Sequence, residues 1–170
     1  RASADDAWRR VKAFPMTEVP RVRYLTNDDA RRLTHACEEG FRPLVQAALL
    51  TGARYSELSR LVAEDFDLQG QTVWLRETKS GKQRTVFLSS EGVRLFNRAT
   101  AGKPRDALIF PRPDGKQWGA SQQARPMAAA CKNAGIDPTN FHDLRRTYGA
   151  QLALAGVQLA VIAEAMGHAD

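Results

Sequence analysis

A chain of 170 residues with 43% apolar side chains can bury one good core and not two, so a single compact domain is expected. Lysine and arginine outnumber aspartate and glutamate by 25 to 19, a formal surplus of +6 that favours polyanionic partners, with nucleic acid ahead of a membrane surface. No stretch approaches the roughly 18 uninterrupted apolar residues of a membrane span, and the start at Arg1 has neither an apolar signal core nor a cleavage pattern, which predicts a soluble, cytoplasmic protein.

Residues 1–24 carry Trp8, Phe14, Val19 and Val22 among prolines and basic side chains without a sustained period, and read as a lead-in or linker to the body, with a frayed terminus as the alternative. Thr26-Asn27-Asp28-Asp29 starts a helix that runs to about Cys37, because the hydroxyl accepts an early backbone N–H and the acids favour the positive end of the helix dipole. The run from Phe41 to Leu50 is apolar almost all round and predicts a buried helix at the centre of the core, stopped at Thr51-Gly52. Ser56 is then expected to cap a short helix carrying Leu58, Leu61 and Val62. Arg54 falls at that buried junction, where a guanidinium is costly unless Glu57 or an external anion meets it.

From Gln71 to Leu88 the period alternates on both sides of Lys79-Ser80-Gly81-Lys82, which predicts a β-hairpin with a basic tip that a DNA groove or a phosphate can meet. Between residues 76 and 116 ten basic side chains face four acidic ones, an excess equal to that of the whole chain and expected of one strip following a phosphate backbone. Ser89-Ser90-Glu91 starts a helix through Leu95 and Phe96. Ala107–Pro111 is a short apolar run, and Asp114-Gly115 marks a turn. Ser121 is expected to cap a helix through Met127 and Cys131 that tolerates Pro126 in its second turn and ends near Gly135. Residues 139–155 predict a further helix with Leu144, Leu152 and Leu154 on its apolar side, and Val157 to Met166 a last one stopped by Gly167. Cys37 and Cys131 have no CxxC spacing and read as buried free thiols in a reducing compartment.

On the helix that opens at Phe141, His142 and Arg145 stand three positions apart on one face. An imidazole that can move a proton near neutral pH, beside a guanidinium with a fixed fork of donors, suits a phosphate. A metal hydrolase using His142, Asp143 and His168 is the weaker alternative, since adjacent His142 and Asp143 diverge on a helix.

From about Arg23 onward the chain closely resembles the catalytic domain of the tyrosine recombinases, or phage-type integrases. The resemblance rests on four segments whose order and spacing together are specific: Thr51-Gly52-Ala53-Arg54-Tyr55-Ser56-Glu57-Leu58, Thr78-Lys79-Ser80-Gly81-Lys82-Gln83-Arg84, His142-Asp143-Leu144-Arg145-Arg146-Thr147, and Met166-Gly167-His168. It implies an α+β, mainly helical domain over 25–170 with a small antiparallel hairpin or sheet on one side, after a 1–24 linker from a missing N-terminal core-binding domain. It implies site-specific DNA recombination, as in integration or excision, by strand cleavage and religation through a 3'-phosphotyrosine. Arg54 and Arg145 match the arginines that clamp the scissile phosphate, His168 a further phosphate donor, Lys79 the general acid on the leaving 5' oxygen, and His142 the residue handling the nucleophile's proton. Glu57 matches the acidic support of the first arginine, and Lys82, Arg84 and Arg146 are expected DNA contacts.

No metal or other cofactor is implied. The family's nucleophile is a tyrosine about nine residues beyond the second histidine, and the chain stops at Asp170, so the resemblance makes this a fragment truncated before its nucleophile. Tyr148 is assigned to packing. The implied partner is a double-stranded recombination site, bound by a tetramer of the intact bacterial or phage-encoded protein across paired sites, with the fragment monomeric on its own. A DNA-binding relative or regulator without catalysis is the alternative.

Overall fold

A computed structural model describes residues 24–76 and 83–167. Among them are seven α-helices and a three-stranded antiparallel sheet: α1 Asn27–Ala36, α2 Arg42–Thr51, α3 Tyr55–Leu58, a 3-10 turn at Ala63–Asp65, β1 Phe66–Asp67, β2 Thr72–Leu75, β3 Arg84–Phe87, α4 Ser90–Thr100, α5 Ala124–Ala134, α6 Phe141–Leu154 and α7 Leu159–Met166. The mainly helical α+β class expected from the resemblance is the class observed. None of the described helices is long and apolar enough to cross a membrane.

Helix α2 lies at the centre and packs on α1, α3, α4 and α6, with Leu44, Val45, Ala47 and Ala48 fully buried. Its first residue works in the opposite sense, since Arg42 turns back and donates to the last carbonyls of α1, Nε to Thr34 O at 3.1 Å and Nη2 to Cys37 O at 2.9 Å. A cation there satisfies acceptors that a helix cannot pair internally. The sheet buries Val73, Leu75 and Val86, and the Phe66 and Phe110 rings pack tilted and edge-on against Phe96 of α4 at centroid distances of 5.6 and 5.3 Å. Both cysteines are buried and free, and burial pushes the Cys37 thiol up to about 11.

Several local expectations hold at the level of single bonds. Thr26 Oγ1 accepts the Asp29 N–H at 3.1 Å and Ser89 Oγ the Gly92 N–H at 3.3 Å, so both hydroxyls cap helices. The hairpin pairs Thr72 with Phe87 and Leu75 with Arg84, and its Lys79–Lys82 tip lies outside the described residues.

Other expectations are corrected. Ser56 is not a cap: α3 begins one residue before it, Arg54 is the N-cap, and Leu61 and Val62 fall beyond the helix. Ser121 does not cap α5 either, which starts at Ala124 and places Pro126 in the first turn, where a missing N–H costs nothing. Leu154 is 80% exposed, because it stands about 160° around α6 from Leu152 and the two cannot share a face. β1 was not foreseen, since two residues carry no readable alternation.

Gly52 ends α2 at φ +62° in the left-handed region, and a Cβ there would run into the ring of Tyr148, which packs on it from α6. Gly52→Ala is therefore expected to lower the unfolding free energy by at least about 2 kcal/mol, combining left-handed strain with overpacking. Chemical denaturation of the purified chain checks it.

Candidate phosphate-binding site

The left-handed turn at Gly52 throws the chain from the end of α2 into α3, which leaves Arg54 in extended conformation at the junction (φ −70°, ψ 150°). Glu57, three residues on, reaches back and accepts the Arg54 N–H on Oε2 at 2.7 Å and Arg54 Nη1 on Oε1 at 3.0 Å. Arg84 arrives from β3 and completes the carboxylate with a forked pair, Nη1 to Oε1 at 2.8 Å and Nη2 to Oε2 at 3.0 Å. All four acceptor directions of the carboxylate are thereby used.

The Glu57 side chain is 2% exposed, Arg84 8% and Arg54 37%, so the pair is sealed on one side and open on the other. Burial alone works to raise the Glu57 pKa, but the Arg84 fork, the Arg54 N–H and the adjacent positive charge outweigh it and hold the carboxyl below the usual glutamate range. The structural pairing of Arg54 with Glu57 is present through one nitrogen, and the side chain also lines a cavity.

Helix α6 supplies the other half. Asn140 Oδ1 accepts the N–H groups of His142 and Asp143 at 2.8 and 3.1 Å, while Asp143 Oδ2 accepts the Asn140 N–H at 3.1 Å. This reciprocal cap fixes the first turn and employs Asp143 as a helix cap. One turn on, Arg145 is 4% exposed and donates through Nη1 to Gly52 O at 2.6 Å and through Nη2 to Met166 O. Burial, with Arg54 and Arg84 nearby, brings its guanidinium down to about 10, although Glu57 opposes the shift. Thr147 Oγ1 accepts the Leu25 N–H at 2.9 Å and so ties the segment ahead of α1 to the same helix.

Arg54, His142 and Arg145 line one cavity of about 430 Å³. Two cationic side chains and an imidazole line one space, with Arg54 held by Glu57 through one nitrogen, an arrangement whose donors suit a small anion or a phosphodiester. Lys79, Lys82 and His168 lie outside the described residues. Arg146 does not line the cavity and approaches Asp143 Oδ1 at 3.5 Å.

Arg84 differs most from expectation. In place of an outward DNA contact it points inward to Glu57 and, through Nε, to Ala165 O at 3.1 Å, because the buried carboxylate offers a partner that solvent cannot match. Further members of the expected basic strip have partners within the chain. Arg76 binds Glu64 and Asp65 at 2.7 Å each, Arg112 approaches Asp114 at 3.2 Å, and Lys103 donates to the Leu108 and Ile109 carbonyls at 3.0 and 2.9 Å.

The opposite wall comes from residues the sequence did not single out: Ser59, Arg60 and the segment 117–120. The Tyr55 hydroxyl donates to Gly119 O at 2.7 Å, and Trp118 packs edge-on against Phe41 at 5.3 Å. A lone tryptophan among glycines and glutamines was the one available hint that this segment is anchored.

The family profile described as "Phage integrase family" matches residues 23–170. The integrase of Salmonella phage P22 is 29% identical over 181 aligned residues, which cover 97% of this chain and 47% of that protein. Tyrosine recombinase XerA of Saccharolobus solfataricus is 27% identical, covering 96% of this chain and 55% of its own. The chain thus spans about half the length of these relatives. A crystal structure of XerA recombinase superposes with a TM-score of 0.76 at 27% identity over 92% of this chain and 58% of that one. The Tn1549 transposon integrase, in complex with circular intermediate DNA, gives 0.76 at 19% identity over 98% and 68%, a likeness of fold.

Proposed function

Because the chain belongs to the phage integrase family, the tyrosine recombinases, we propose that it binds duplex DNA and holds the phosphodiester to be broken during site-specific strand cleavage and religation. The observation that carries this reading is the convergence of Arg54, His142 and Arg145, from two distant parts of the chain, on one open cavity.

A tyrosine hydroxyl attacks the phosphorus, and negative charge builds on the two nonbridging oxygens as the fifth bond forms. Arg54 and Arg145 offer fixed N–H donors to those oxygens, so the field is in place before the charge appears. His142 takes the proton of the attacking hydroxyl. Lys79 protonates the departing 5' oxygen, and His168 adds a donor to the phosphate. The products are a 3'-phosphotyrosine and a free 5' hydroxyl. The ester keeps the energy of the broken bond, and religation by another 5' hydroxyl reverses the step.

Glu57 keeps Arg54 oriented. Lys82 and Arg146 meet neighbouring backbone phosphates. No residue of this chain is assigned as the nucleophile, and the intact protein is read as a tetramer on paired sites.

Duplex binding by the 170-residue chain alone is expected to be monomeric, weak and steeply salt-dependent, falling roughly 1000-fold between about 50 and 200 mM salt for six phosphate contacts. A fluorescence-anisotropy salt series measures it, and a flat series would contradict the reading. Trapping of a nicked suicide duplex by protein extended past Asp170 tests cleavage. Tight binding without any covalent product would point instead to a DNA-binding relative that does no chemistry.

A further inference from the structure

Arg84 does not line the cavity, yet it is joined to both halves of it. Toward α3 it supplies two of the four donors on the Glu57 carboxylate, and Glu57 in turn grips the backbone and side chain of Arg54. Toward α7 its Nε donates to Ala165 O, one residue before the carbonyl of Met166 that Arg145 engages. The last carbonyls of a helix have no internal partner and carry partial negative charge, so two guanidinia from different elements close the end of α7. Gly167 leaves that helix directly over the arginine, and a Cβ there would stand 2.9 Å from Arg84 Nη1.

We infer that Arg84 is a positioning residue for the phosphate clamp: gripping Glu57 and the end of α7 together, it holds the Arg54 guanidinium on the cavity wall and the Gly167 exit beside Arg145. This role rests on reading the cavity as a phosphate site.

Without Arg84, Glu57 retains only the two donors of Arg54. Arg54, Arg84 and Arg145 are the charged groups that act on this carboxylate from α3, β3 and α6. Loss of the forked partner leaves the carboxylate under-satisfied, so it draws Arg54 wholly to itself and away from the anion. Burial then works against the charge with less opposition, and Glu57 takes up a proton at higher pH than in the parent chain. A residue that merely stabilised the fold would shift the melting temperature and the titration of its partner Glu57 but leave anion affinity alone.

The test uses the isotope-labelled chain with inorganic sulfate, whose charge is constant over the range, followed through the Arg54 and Arg145 Nε–H and His142 ring resonances, with the Glu57 carboxyl carbon reporting its protonation. Arg84→Ala is expected to bind sulfate about tenfold more weakly, the worth of one charged hydrogen bond. The deficit should narrow as pH falls through the Glu57 titration, itself moved up, because a protonated carboxyl no longer draws Arg54 away.

Arg84→Lys keeps the charge without the fork, guards against a variant that fails to fold, and should lie between the two. Sulfate that leaves all three resonances unmoved in the parent chain would sink the phosphate-site reading and the role of Arg84 with it. Parent-like sulfate affinity in the Arg84 variants, with sulfate bound normally by the parent, would overturn the role of Arg84 alone, whatever the Glu57 titration does.

Discussion

Arg145→Ala is expected to slow phosphodiester cleavage by on the order of 100 to 1000 fold in protein extended past Asp170, the usual effect of removing one preorganised donor from a site of developing charge. The side chain reaches its place by donating to Gly52 O and Met166 O, and those bonds leave its remaining N–H groups for the anion. Arg145→Lys should recover only part of the rate, because a single ammonium cannot serve two carbonyls and a phosphate in three fixed directions. Single-turnover cleavage of a nicked duplex measures both, and a lysine variant at the parent rate would show that charge alone suffices.

The depressed value of about 10 adds a pH signature. As pH rises through it, Arg145 gives up its proton and anion binding should fall. The sign for stability is opposite. Above about 10, and below the higher ordinary arginine value, the unfolded chain holds a proton that the folded chain has lost, so this group's contribution to stability rises with pH there. The buried cation is thus a cost to folding at neutral pH, and its use lies in the site.

Glu57→Ala is expected to destabilise the chain by about 3–5 kcal/mol, the range found when one partner of a buried ion pair is removed and the other is left uncompensated. Here two arginines are left, with Arg145 beside them. Because the folded carboxyl is held below its ordinary value of 4.5, the stabilisation is fully present above that value and is lost as pH falls through the lower folded value. The gap between the parent chain and Glu57→Gln in thermal melts should therefore be widest near neutral pH and close in strong acid. A gap of equal size at all pH values would mean that shape, and not charge, is what Glu57 contributes.

The chain by itself determined much of what acts over a few residues. A hydroxyl three positions before an unpaired N–H caps α1 and α4, though the same signal at Ser56 and Ser121 caps nothing, and glycine at Gly52, Gly135 and Gly167 stops α2, α5 and α7. Arg54 with Glu57, and His142 with Arg145, were legible for the same reason, since each pair lies within one helical turn.

Tertiary structure alone decided the rest. Whether Arg84 meets DNA or Glu57, 27 residues away, depends on where β3 comes to lie against α3. Whether Arg145 is open or buried depends on α7 presenting Met166 O to it. The wall formed by Arg60 and the segment 117–120 has no periodicity to announce it and exists because Tyr55 and Phe41 anchor that segment across the fold. Local signals reach as far as a hydrogen bond between near neighbours, whereas the partner of a long, charged side chain is whichever buried acceptor packing brings within its reach.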